Sequence, residues 1–166
     1  FMLQLENHSK YNLRFLNNYV YSGCTEDKPK DVQGGVIEAM SGRKSGRVGS
    51  TGAVGTVSWR IGNTSKLLGV MYSVPFNHDY FANRLAVGIF DSQTDTSQYD
   101  FYEKMYYHSA YEGGSQKNTG FNRKDFWTNL GPVKFQTKDY LIEGICGRSH
   151  TPKIIITFRH LHYDNV

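Results

Sequence analysis

AVGTVSWRI (residues 53–61), GNTS (62–65) and KLLGVMYSVPF (66–76) follow one another without a break, and the reading of this stretch decides the fold. Two runs of β-branched and aromatic residues flank four turn formers, which is the signal of a β-hairpin. Further short runs of the same kind are MLQLENH (2–8), NLRFLNNYVYS (12–22), VIEAM (36–40), RLAVGIFD (84–91) and KIIITFRHLH (153–162). The first two are expected to form an opening hairpin around Ser9 and Lys10. In the last, Ile154, Ile156 and Phe158 share one face, and Ile155, Thr157 and Arg159 share the other. The class predicted is all-β, a sandwich of about ten strands with one or two short helices on its faces.

Composition agrees. Aromatic residues make up 14% of the 166 and glycine accounts for 17, while mean hydropathy is −0.54. Such a chain is turn-rich and long enough for one domain with a proper core, spanning residues 1–166. Nineteen Lys and Arg against 15 Asp and Glu give a formal charge of +4. That mild excess suits anionic partners, but no basic block reads as a nucleic-acid arm, and no nucleic-acid partner is expected. Cys24 and Cys146 imply no disulfide framework and read as free, mostly buried thiols. No apolar run approaches the ~18–20 residues of a spanning helix. No signal peptide is visible, as in a mature secreted chain.

YDFYEKMYYHSAY (99–111) holds five of the 12 tyrosines. A helix is predicted over 96–106, capped by Thr96 or Ser97, whose short hydroxyls can accept from first-turn amides. Tyr99, Tyr102 and Tyr106 then form one ridge, and Phe101 and Met105 a second stripe suited to the core. Anchored by Phe101 and Met105, the helix is expected to turn its tyrosine ridge outwards. The plainer alternative is a helix packed on a sheet by its aromatic face. A second short helix is predicted at FNRKDFWT (121–128).

Residues 52–83, followed by YEKMYY (102–107), resemble the actinoporins, sphingomyelin-binding pore-forming cytolysins built on a β-sandwich. TGAVG (51–55), SVPF (73–76) with Tyr80, Phe81 and Asn83, and Tyr102-Glu103-Lys104-Met105-Tyr106-Tyr107 carry the resemblance. YSG (21–23) fits the family's early serine-glycine turn. The resemblance implies a phosphocholine cavity beside the helix, lined by Ser22, Val54, Ser73, Pro75, Tyr102, Tyr106 and Tyr107. Its chemistry is coherent. A quaternary ammonium donates no ordinary hydrogen bond and is held by aromatic faces, whereas the phosphate needs hydroxyl donors. The resemblance also implies that Phe76, Tyr80, Phe81 and Arg84 contact the membrane, the rings at headgroup level and Arg84 on lipid phosphate. Secretion and oligomerisation on the membrane follow from the same source.

Three departures stand out. Arg84-Leu85 replaces a tryptophan pair of the family, and Glu112-Gly113-Gly114 replaces an Arg-Gly-Asp. The first strand starts almost at Phe1, where the family carries an amphipathic segment. A sandwich has open edges that cannot lie in hydrocarbon, so this chain is expected to bind without efficient lysis, and to act as a pore-forming cytolysin if an N-terminal helix is present in the full protein.

Other constellations carry less. His160 and His162 stand at metal-binding spacing near Asp164, yet no further ligand completes a set. His78 and Asp79 have no nucleophile beside them, so neither metal, cofactor nor enzymatic activity is expected. Gly42, Gly46, Gly49 and Gly52, interleaved with Arg43, Lys44 and Arg47, lack the phosphate-loop pattern. They read as a basic hairpin loop able to attract anionic lipid or a neighbouring subunit. Trp59 and Trp127 read as core or edge residues. The competing function is a lectin-like glycan-binding module, since a tyrosine- and serine-lined pocket can also stack a sugar ring.

Overall fold

The hairpin at 53–76 forms as its sequence predicts. In the computed structural model, which describes residues 1–45, 52–109 and 118–162, strands β5 (Ala53–Ile61) and β6 (Lys66–Val74) pair antiparallel, with Val57 opposite Val70 and Trp59 opposite Leu68. Around them lie β1 (Met2–His8), β2 (Leu13–Ser22), β3 (Cys24–Thr25), β4 (Ile37–Arg43), β7 (Asn83–Asp91), β8 (Gly120–Phe126), β9 (Val133–Gln136), β10 (Tyr140–Cys146) and β11 (Lys153–His160). One sheet runs β2-β5-β6-β7-β8 and the other β3-β4-β1-β11-β10-β9. The single helix among the described residues is α1 (Tyr99–Tyr107).

Strands β5, β6 and β7 are buried along nearly their whole length, because both faces of their sheet are covered. Val57, Trp59, Leu68, Val70, Leu85 and Val87 pack towards the other sheet, against Leu3, Ile142, Ile156 and Phe158. Leu67, Met71, Ala86 and Phe90, on the opposite face, meet Phe101 and Met105 of α1.

Three expectations need correction. First, β1 and β2 form no hairpin: they lie in different sheets, and β1 instead pairs parallel with β11 and antiparallel with β4. The turn between them is a polar knot. Asn7 is buried; its Nδ2 donates to the carbonyls of Tyr11 and Val32, while its Oδ1 accepts from the amide and hydroxyl of Ser9. That knot carries the chain across the sandwich.

Second, the helix predicted at 121–128 is strand β8, paired antiparallel with β7. Phe121 packs beneath α1 and Phe126 between the sheets. An odd spacing of buried rings is what a strand covered on both faces requires.

Third, neither Thr96 nor Ser97 caps α1; Gln98 holds the N-cap without a side-chain bond. Thr96 is buried, sharing a 2.7 Å hydrogen bond with the Ser58 hydroxyl and accepting one of 2.9 Å from Asn17. It fastens the approach to the helix onto the sheet. Ser97 bonds the Asp95 carboxylate instead.

Phe158 is fully buried between the sheets. Phe158→Ala is expected to cost about 3–5 kcal/mol, measured as a fall in the urea unfolding midpoint.

Candidate functional site

Strand register assembles the site. Ser22 lies opposite Val54, Val54 opposite Ser73, Ser73 opposite Arg84, and Arg84 opposite Asp125. Directly opposed residues present their side chains on one face, so these five form a row across the whole sheet. That face is the one on which α1 lies, and Pro75, half-buried, follows at the end of β6. Residues scattered from 22 to 125 in the sequence thus meet beneath one helix.

Tyr102 is the hub of the aromatic cluster. Its ring centroid lies 4.8 Å from Tyr21 with nearly parallel planes, 5.4 Å from Tyr106, 5.8 Å from Tyr99 and 6.3 Å from Tyr19. Only 2% of Tyr102 is exposed, which corrects the expectation of a ridge turned wholly outwards. The exposed rings are Tyr107 at 61%, Tyr21 at 54% and Tyr99 at 40%, and Tyr106 is half-buried. Burial, reinforced by the surrounding phenols, pushes the Tyr102 hydroxyl far above its ordinary pKa. It therefore stays a neutral hydroxyl.

Two arginines hold the C-terminal end of α1. The Arg84 guanidinium stands 4.6 Å from the Tyr106 ring centroid and donates to the Tyr106 carbonyl at 3.1 Å. It also donates to both carboxylate oxygens of Asp125, at 2.6 and 3.1 Å. Arg123 donates to the carbonyls of Met105 and His108 at 2.8 and 2.9 Å. The last turn of a helix leaves carbonyls unpaired and carries partial negative charge, so paired guanidinium groups suit it. Arg84, expected at the membrane, is in this structure neutralised by Asp125 and turned onto the helix.

The serines are less open than a donor floor requires. Ser73 is buried, and the Ser22 hydroxyl donates to the Gly52 carbonyl at 2.8 Å. In the loop after β6, Phe76, Tyr80 and Phe81 are exposed. The two tryptophans part company. Trp59 is core, its indole donating to the Lys30 carbonyl at 2.9 Å, whereas Trp127 is exposed and shares a hollow with Phe81.

Both thiols are free. Cys146 is buried and donates to the Gly147 carbonyl; burial pushes its pKa up to about 12. His162 bonds the Lys138 carbonyl and touches His160 edge-on. No group of three or more metal-ligating side chains occurs among the described residues. Gly46, Arg47 and Gly49 of the basic loop, Glu112-Gly113-Gly114, Tyr111 and Asp164 lie outside the described residues.

Sequence reading missed Tyr21, Arg123 and Asp125, and named Trp127 only as a core or edge residue. Tyr21 is the extra residue of a β-bulge, since Val20 faces Gly55 and Ser22 already faces Val54. Such a bulge re-aims a side chain, here onto Tyr102, and no local pattern announces it. Asp125 and Arg123 become visible only once β8 is known to be a strand in register with β7.

Asp125→Asn strips the carboxylate from a partly exposed ion pair. A loss of about 1–2 kcal/mol is expected, between the limits for exposed and buried pairs, measured by urea unfolding.

The sequence model of the family described as sea anemone cytotoxic protein matches residues 2–138. Similar proteins include echotoxin-2 of Monoplex parthenopeus, 27% identical over 161 residues, covering 95% of this chain and 56% of that protein. DELTA-stichotoxin-Hcr4b of Radianthus crispa is 35% identical over 124 residues, covering 72% of this chain and 69% of that protein. The chain therefore spans little more than half the length of echotoxin-2. Among solved structures, the lipid-binding protein Nakanori matches with a TM-score of 0.70 at 12% identity, covering 95% of this chain and 69% of that one. That likeness concerns the fold alone.

Proposed function

The chain belongs to the actinoporin family, the sea anemone cytotoxic proteins, and on that premise we propose that it docks on membranes by gripping phosphocholine headgroups, those of sphingomyelin above all. The observation that carries this reading is the row Ser22–Val54–Ser73–Arg84 lying under the tyrosines of α1. The row ends at the same pole as the loop that exposes Phe76, Tyr80 and Phe81.

Each part has a role. Tyr107 offers an open ring to the trimethylammonium group, and Tyr106 offers the part of its ring that Arg84 leaves free. Tyr102, pinned by Tyr21, fixes the helix side of the site. Val54 and Pro75 give the N-methyl groups apolar contact. The phosphate takes the Tyr106 and Tyr107 hydroxyls, with Ser73 behind them, and Ser22 after its hydroxyl rotates away from Gly52. Phe76, Tyr80 and Phe81 settle at headgroup depth, where amphipathic rings are favoured.

The protein would act as a secreted chain on the outer surface of a target membrane. Assembly into oligomers and pore formation lie beyond docking. Among the described residues, no helix is long and apolar enough to cross a membrane.

Flotation with vesicles of phosphatidylcholine, with and without sphingomyelin, tests the reading. Tyr106→Ala with Tyr107→Ala is expected to weaken binding about tenfold or more, from two cation–π contacts of about 0.5–2 kcal/mol each. Soluble phosphocholine should compete and galactose should not. Competition by galactose alone would assign the pocket to a glycan instead.

A further inference from the structure

Beside the exposed aromatic loop is a hollow that the proposed phosphocholine site does not use. It has a volume of about 210 Å³, and Phe81, Phe126 and Trp127 wall it, with His78 and Arg148 at its polar side. We propose that it binds the phosphate of an anionic phospholipid, making a second headgroup subsite on the same membrane-facing pole. This inference rests on the docking reading above.

The charges around the hollow are positive. Arg148 is exposed and makes one hydrogen bond among the described residues, at 3.4 Å to the Trp127 carbonyl, with no ion pair. Lys44, following β4, reaches His150 at 3.3 Å, and the His150 ring lies 4.1 Å from that of His78. Asp79, in the same loop as His78, is the one carboxylate bearing on that imidazole. The contrast with Arg84 is plain, since Asp125 already neutralises Arg84.

Asn83 organises the polar wall. It is fully buried, and its Nδ2 donates to the carbonyls of Gly147 and Ser149 at 2.7 and 3.0 Å. Its Oδ1, 2.8 Å from His78 Nε2, must therefore accept, so neutral His78 carries its proton on Nε2. His78 Nδ1 is left buried without a partner. A buried polar atom with no partner is costly. Protonation turns Nδ1 into a donor that needs an acceptor, and an arriving phosphate supplies it once the loop at 76–82 shifts to uncover Nδ1. Desolvation, with Lys44 and His150 adding to it, holds the His78 pKa below its ordinary value against the opposing pull of Asn83 and Asp79. An anion in the hollow reverses the balance, so binding takes up a proton. Phe81 and Trp127 then flank the glycerol and the first acyl carbons, as aromatic rings do at this depth.

The test compares vesicles of phosphatidylcholine with vesicles that also contain phosphatidylglycerol. The wild type is expected to bind the anionic vesicles more tightly, and more so at pH 5.5 than at pH 8. Arg148→Gln should remove roughly fivefold of that preference, the effect of one basic residue near a charged surface, while leaving phosphatidylcholine binding and the unfolding midpoint unchanged. Lys10→Gln with Arg14→Gln, at the opposite pole, should leave the preference intact. The proposal is overturned if Arg148→Gln has no effect, if Lys10→Gln with Arg14→Gln lowers the preference equally, or if inorganic phosphate alone titrates His78 as strongly as the lipid does. Binding to anionic vesicles that depends on Arg148, with none to phosphatidylcholine, would sink the docking reading and leave this one standing.

Discussion

The contact between α1 and the outer face of the five-stranded sheet is the constraint on which the site depends. Phe101 and Met105 bury the helix against Leu67, Met71, Ala86, Phe90 and Phe121. Arg84 and Arg123 hold its last carbonyls. With nine residues the helix is too short to be stable alone, so packing and these two guanidinium groups set its position. Because the tyrosines ride on that helix and the serines on the sheet beneath, the proposed headgroup site is only as well formed as this contact.

Placing a cation over Tyr106 has a cost for the proposed function. A ring face covered by Arg84 is closed to a choline methyl group, so in the proposed docking the open ring of Tyr107 would carry more of the ammonium contact. In exchange, the Arg84–Asp125 pair ties β7, β8 and the helix end together at one point. Tyr21, stacked on Tyr102, braces the cluster from the strand side. The tyrosines thus divide into those that build the wall, Tyr19 and Tyr102, and those that the proposed function leaves to meet a ligand, Tyr106 and Tyr107. Tyr21 and Tyr99 stand between the two groups, exposed but stacked on the wall.

Much of the architecture was legible because burial on both faces of β5, β6 and β7 forces near-continuous apolar runs, and GNTS marks the turn between two of them. The helix was legible from the spacing of Phe101 and Met105. What failed was whatever depends on long-range pairing. MLQLENH and NLRFLNNYVYS stand side by side in sequence, yet Asn7 sends them to opposite sheets. The segment at 121–128 was expected to be helical, and its two buried phenylalanines serve different cores, on opposite faces of a strand. Of the site, Ser22, Val54 and Ser73 are brought to one face by register, while Tyr102, Tyr106 and Tyr107 come from α1. The burial of Tyr102, the neutralisation of Arg84 and the exposure of Trp127 are tertiary facts with no local signature.

Saturation-transfer NMR between the N-methyl protons of soluble phosphocholine and the tyrosine rings tests the central claim most directly. Saturation should pass to Tyr107 and Tyr106, and none to Tyr11 or Tyr140, which lie together at the far pole. Transfer confined to Tyr11 and Tyr140, or no transfer at phosphocholine concentrations that displace the protein from vesicles, would contradict it.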